Sequence, residues 1–151
     1  MIIPISRRDM IVAGLLSLAT FPSKAVAATA EVLTFDTLYE SFGVLGLKFS
    51  AQVLALKGKQ VSISGYMAPP LRAESDFFVL TKNPLSICPF CQSDADWPLD
   101  IMVVYLSEAS PLVTAGAKVM VSGILDIGSF IDPDSGFVSQ LRVRNASYRK
   151  A

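Results

Sequence analysis

The sequence QVSISGYM at residues 60–67 alternates apolar and polar side chains along its whole length. Val61, Ile63, Gly65 and Met67 fall on one face of an extended chain, and the residues between them fall on the other. Two consecutive prolines at 69 and 70 stop the pattern, because proline removes a hydrogen-bond donor from a sheet. This stretch therefore predicts a β-strand with one buried face.

Four further segments predict strands downstream, and their shared feature is a short run rich in β-branched and aromatic residues. They are Asp76–Thr81, Ile101–Leu106, Lys118–Ile127 and Phe137–Tyr148. The continuous apolar run at 101–106 is typical of a strand buried on both faces. Gly65 and Gly123 lie where long strands of a small barrel must bend. The pattern predicts a mainly β protein with a five-stranded, OB-like Greek-key barrel, and an open sandwich is the alternative architecture.

A short helical segment is predicted ahead of the barrel. Apolar residues recur at offsets of three and four, the spacing of a helical stripe: Phe35, Leu38, Tyr39, Phe42 and Leu45. Gly43 and Gly46 weaken that stripe. One or two further helical turns are predicted over Phe49–Leu56, where Gly58 and the flanking lysines suit a C-terminus.

Residues 1–27 have the features of an export signal. A positive start is followed by an apolar stretch of about a dozen residues, too short to span a bilayer as a helix, and by Ala25-Val26-Ala27 as a cleavage site. The run Ser6-Arg7-Arg8-Asp9 followed by two apolar residues resembles a twin-arginine signal. The sequence therefore predicts a periplasmic protein with a single domain over residues 28–151 and no stable membrane span after cleavage. A general secretory signal is the alternative.

Composition excludes several classes of function. The chain contains no histidine, which excludes Ser-His-Asp catalysis and every histidine-containing zinc or haem site. Residues 28–151 carry ten basic and twelve acidic residues, so the exported part lacks the basic footprint of a nucleic-acid binder. We expect no nucleic acid as a partner. Arg142, Arg144, Arg149 and Lys150 are interpreted as a solvated strand face.

Cys88-Pro89-Phe90-Cys91 is the feature of the sequence that carries chemistry. A Cys-x2-Cys pair is half of a typical zinc site, and two thiolates also suit Cu(I). With no histidine available, Asp94 is a candidate third ligand, and Asp96, Asp100, Met67 or a second chain's cysteines could complete the set. Zinc or copper is therefore the expected cofactor, with Cys88, Cys91 and Asp94 as the metal site.

Three alternatives for the cysteine pair stay open, and in one of them both cysteines are merely buried. A structural disulfide between Cys88 and Cys91 is compatible with an oxidising compartment. A thiol–disulfide redox site would resemble glutaredoxin, but that chemistry needs a helix N-terminus at the first cysteine. Asp94 and Asp96 instead stand close by and would disfavour a thiolate.

The segments LKGKQVSISGYMAPPL at 56–71, GILDIG at 123–128 and DSGFVSQLR at 134–142 resemble an uncharacterised family of small exported bacterial proteins. The resemblance covers about residues 56–149. It implies an OB-like barrel, a twin-arginine signal and a Cys-Pro-x-Cys loop, and it carries no established activity. Together the observations favour an exported binding or accessory protein over an enzyme, working beside an envelope transporter or assembly system.

Overall fold

The fold is mainly β, as the sequence predicts. A computed structural model describes residues 30–43, 46–69, 76–84, 97–108 and 114–151. The described strands and the single α-helix are, in chain order, β1 Glu31–Leu33, β2 Tyr39–Gly43, β3 Gly46–Phe49, α1 Ala51–Leu56, β4 Gln60–Met67, β5 Phe77–Thr81, β6 Ile101–Leu106, β7 Lys118–Ile131 and β8 Val138–Lys150. The bounds of β4 and β6 coincide with the predicted ones, while β7 and β8 both extend beyond them.

Five strands pair in an order that returns to its starting strand. β4 pairs with β5, β5 with β6, β7 with β8, and β7 with β4, all antiparallel. β6 and β8 are parallel neighbours. β1 adds a short parallel strand to β4, alongside Val61–Ile63. The pairing therefore runs β4-β5-β6-β8-β7 and back to β4, with β1 outside that cycle.

Alternation along the strands places one set of side chains in a common core. In β4 every second residue is buried, starting at Val61, and β7 repeats the pattern from Val119 to Ile127. The core residues with no exposed surface include Leu38, Val53, Val61, Ile63, Leu80, Met102, Val104, Val119, Val121, Leu125, Leu141 and Val143. Because they come from every strand of the cycle and from α1, the core ties the N-terminal segment to the strands.

Gly65 and Gly123, which the sequence predicts at bends of long strands, lie where neighbouring strands approach closely. A Cβ atom on Gly65 would stand 2.7 Å from the carbonyl oxygen of Thr81. On Gly123 it would stand 2.6 Å from Cγ1 of Val143 and 2.7 Å from the oxygen of Arg144. The β7–β8 register shifts at Gly123, which stands alone opposite Asn145 and Ala146, so the extra residue of this bulge belongs to β8.

The predicted helical stripe over residues 35–45 is wrong in its element type. Phe35–Thr37 form one 3-10 turn, and β2 then pairs antiparallel with β3. Gly43 pairs with Gly46, whose φ of 93° lies in the left-handed region that glycine tolerates. The helix predicted over 49–56 is present as α1, and the Ser50 side chain caps it by accepting a hydrogen bond from the Val53 N–H.

A second apolar cluster covers the outer face of β5 and β6. Its buried members are Ala68, Phe77, Val79, Ile101 and Val103. The hairpin of β7 and β8 is long enough to bend over this face. Its Phe137 ring stacks on Phe77 with centroids 5.9 Å apart, and its Phe130 ring meets Tyr105 edge-on at 6.0 Å. The described outer face of β5 and β6 is thus packed rather than solvated.

Candidate functional site

The predicted metal ligands Cys88, Cys91 and Asp94 lie outside the described residues. The chain that carries them connects β5 to β6, and the described residues at both ends of this connection are adjacent. Thr81 pairs with Ile101, and the Lys82 N–H donates a hydrogen bond of 2.9 Å to the carbonyl oxygen of Asp100. In the sequence, the cysteine pair therefore lies between the end of β5 and the start of β6, and these two strand ends pair with each other.

An aromatic contact anchors the returning end of this connection. Trp97 Nε1 donates to the Tyr39 hydroxyl at 2.9 Å, and the Tyr39 ring stacks on Phe49 at 5.5 Å. Burial raises the pKa of Tyr39 to about 12, with the hydrogen bond from Trp97 acting against it. Tyr39 consequently stays protonated near neutral pH, and its role here is to hold Trp97 against the β2–β3 hairpin.

Within the described ranges, no group of three or more cysteine or carboxylate side chains is placed to hold a metal ion. Met67, named above as a possible further ligand, is buried in the core, as is Met102, whereas Met120 is only half-buried. Among these same residues, no helix has the length and apolarity needed to span a membrane.

Arg142 corrects the prediction that the arginines of the last strand form a solvated face. Only 3% of its surface is exposed. Its Nε and Nη2 atoms donate to one Asp126 oxygen at 3.1 and 2.9 Å, while Nη1 donates to the carbonyl oxygens of Gly128 and Ser139. β8 pairs with β7 so that Asp126 stands directly opposite Arg142. The sequence alone does not reveal that register.

Arg144 completes an ion-paired and aromatic cluster on the outer surface of β7 and β8. Its Nε donates to Asp126 at 2.8 Å, and its guanidinium lies 4.3 Å from the Phe130 ring centroid and 5.2 Å from that of Tyr105. Burial alone would raise the pKa of Asp126. The hydrogen bonds and charges of Arg144 and Arg142 outweigh this effect and lower that pKa. Asp126 is thus an ionised structural partner rather than an acid or base.

Asp132 holds the turn at the tip of the same hairpin. Its Oδ1 accepts hydrogen bonds from the N–H and hydroxyl of Ser135, and its Oδ2 accepts one of 3.1 Å from Tyr105. Burial opposes ionisation, but the bonds from Ser135 and Tyr105 lower the pKa of Asp132 overall. Burial and this carboxylate both raise the pKa of Tyr105. The polar groups satisfy one another, so the cluster fastens the hairpin to β6.

A groove on the outer face of β4 is the second candidate site. Its volume is about 370 Å³, within the range of small-molecule sites. The 3-10 turn after β1 forms one wall, and residues 82–84 after β5 form another, while its floor is the outer face of β4 and β7. Lys82 and Lys118 bring positive charge to it. Sequence analysis missed this groove because its four segments are far apart in the chain.

Comparison with known proteins shows the fold and nothing finer. No protein-family profile matches the chain, and no curated protein matches it either. The chain is similar to the crystal structure of a DUF3299 family protein from Pseudomonas aeruginosa PAO1, with a TM-score of 0.54 and 11% sequence identity. The alignment covers 82% of this chain and 98% of the other. Because only 11% of the aligned residues are identical, this likeness shows the fold alone.

Proposed function

We propose that this protein is an exported, periplasmic binding protein built on an OB-type barrel, and that it binds zinc or copper through Cys88 and Cys91. The strand cycle β4-β5-β6-β8-β7 with one parallel contact supports the barrel assignment. An OB-fold is a five-stranded Greek-key barrel. The leader at 1–27 supports export, since it has the polar start, apolar stretch and cleavage site of a signal peptide.

One observation carries the metal proposal. The Cys-x2-Cys pair occupies a connection whose two ends are joined by the hydrogen bond from Lys82 to Asp100. This hydrogen bond fixes where the segment that carries the cysteines leaves β5 and where it enters β6. Two thiolates and the Asp94 carboxylate suit zinc, whereas two thiolates alone suit Cu(I).

The face used by many OB domains for nucleic acid is a poor site in this protein. That face is on the second and third strands of the barrel, here β5 and β6, whose outer residues Val79 and Val103 are at most 2% exposed. Arg142 also forms an ion pair with Asp126 and does not offer a free positive charge. We therefore infer a partner other than nucleic acid, and an envelope transporter or assembly system that receives the metal fits the proposed compartment.

The metal proposal is tested on protein purified from the periplasm, with zinc and copper counted by mass spectrometry. We expect about one ion per chain, or per dimer if two chains share a closed site. Cys88→Ser and Cys91→Ser variants should each lose the ion. Ser93→Ala, a change in the same segment that removes no proposed ligand, should retain it.

The alternatives give different results on the same samples. A metal-free chain whose intact mass is lower by two hydrogens, and rises on reduction, would contradict metal binding and establish a Cys88–Cys91 disulfide. Turnover in an insulin-reduction assay, abolished by Cys88→Ser, would instead establish a thiol–disulfide enzyme.

A further inference from the structure

The groove beside β4 has a charge balance that points to an anionic ligand. Two ammonium groups line it, and one carboxylate, Asp36, forms an ion pair with Lys82. Lys118 lies 6.0 Å from the Tyr66 ring centroid. No carboxylate of the described residues pairs with Lys118. The groove therefore keeps one positive charge that its own lining does not neutralise.

The walls next to these charges are apolar. Val32 lines the groove with 66% of its surface exposed. Met120 belongs to the lining and projects from the outer face of β7, where alternate residues are only half-buried. A ligand that covered Val32 would remove apolar surface from water, at roughly 25 cal/mol for each Å².

We propose that this groove binds a small organic anion, with one anionic group against Lys118 and an apolar body against Val32 and Met120. The ion pair between Lys82 and Asp36 joins the end of β5 to the 3-10 turn, so both of these walls of the groove are in contact in the structure. The volume of about 370 Å³ admits a ring with one substituent and excludes a folded protein segment. This site is independent of the cysteines.

The proposal is tested by titrating the protein purified from the periplasm and following its amide resonances. The probes are benzoate, phenyl phosphate, neutral benzamide and cationic benzylammonium. We expect saturable shifts at Tyr66, Lys118 and Val32 with the two anions, and much weaker shifts with benzamide. The tighter of the two anions identifies a carboxylate or a phosphate as the natural group.

Two substitutions separate a specific site from general attraction. Lys118→Gln should weaken benzoate binding by up to about fivefold, as expected for losing one partly exposed ion pair. The matched variant Lys57→Gln removes an equal charge outside the groove and should change nothing. Val32→Glu, at a position exposed enough to leave folding intact, should abolish anion binding, because the added carboxylate neutralises the charge of Lys118, and benzylammonium should not bind the wild-type protein.

Three results would overturn the proposal. The first is equal binding of benzamide and benzoate, which would leave the charge without a role. The second is a set of shifts that lies away from the groove. The third is the absence of any saturable shift with either anion.

Discussion

Gly65 and Gly123 allow neighbouring strands to approach closely, and Gly123 shows the effect most clearly. At Gly123 the space for a side chain is filled by Val143, the Arg144 carbonyl oxygen and the Ala146 Cα atom, the last at 3.0 Å from an added Cβ. Two of these atoms belong to the backbone, so a side-chain rotation cannot make room. Glycine is required at position 123 by this close approach to the bulged part of β8, where two residues face it, rather than by a special φ angle.

Gly123→Ala should therefore destabilise the protein by about 1–3 kcal/mol, the usual cost of forcing an extra methyl group into a packed site. The measurement is the free energy of unfolding from urea titration followed by circular dichroism. Gly43→Ala is the control, since an added Cβ there meets no atom within 4 Å. A loss for Gly123→Ala no larger than that for Gly43→Ala would show that β7 can shift to accept a methyl group.

At the scale of elements, Asp126 ties β7 to β8 in the long hairpin. Asp126 accepts hydrogen bonds from both Arg142 and Arg144. Arg142 also donates to the carbonyl oxygens of Gly128 and Ser139. These bonds cross the second register shift of the hairpin, between Ile127 and Phe130. They hold the end of the hairpin over β6, where it packs against Tyr105.

Asp126→Asn should lower the free energy of unfolding at pH 7 by on the order of 1–3 kcal/mol, because buried donors of Arg142 lose their charged acceptor. The wild-type pKa is lower in the folded state than its ordinary value of 3.8. Stability from this ionisation is therefore complete above that value and is lost as pH falls through the folded pKa. The difference between wild type and variant should accordingly shrink below about pH 4.

The matched variant for this pH dependence is Glu40→Gln, which removes an exposed ion pair to Lys48. Exposed pairs contribute at most about 1 kcal/mol, so its effect should be small at every pH. If Asp126→Asn behaved like Glu40→Gln across the titration, the Asp126 network would be no stronger than a surface ion pair.

The elements also show where pattern analysis succeeds and where it does not. Strands β4 and β6 were predicted residue by residue, because period-two alternation and a short apolar run are local signals. The 35–45 stripe was misassigned because a 3-10 turn followed by a short strand can bury Phe35 and Leu38 at the same spacing as a helix. Over so few residues, the spacing of buried side chains in a helix cannot be distinguished from that in a 3-10 turn followed by a strand.

For the whole molecule, the mainly β fold is more predictable than the surface sites. Core positions follow from alternation along each strand, whereas the contact of Asp126 with Arg142 depends on the register between two strands. The groove depends on four segments meeting, from Val32 to Met120. Neither the contact of Asp126 with Arg142 nor the groove leaves a local signal in the sequence. Cys88 and Cys91, in contrast, are visible as a motif, and their ligation stays a prediction.

Export is the prediction that concerns the whole chain. The twin-arginine route carries folded proteins, so the cysteines would bind metal or stay reduced in the cytosol before they reach an oxidising compartment. Replacing Arg7 and Arg8 together with lysine keeps the charge of the leader and should leave the protein in the cytoplasm, as measured by cell fractionation. Lys24→Arg is the matched control and should leave export unchanged. Periplasmic accumulation of the double lysine variant at the wild-type level would instead mean secretion as an unfolded chain, with the cysteines exposed to oxidants before any metal is bound.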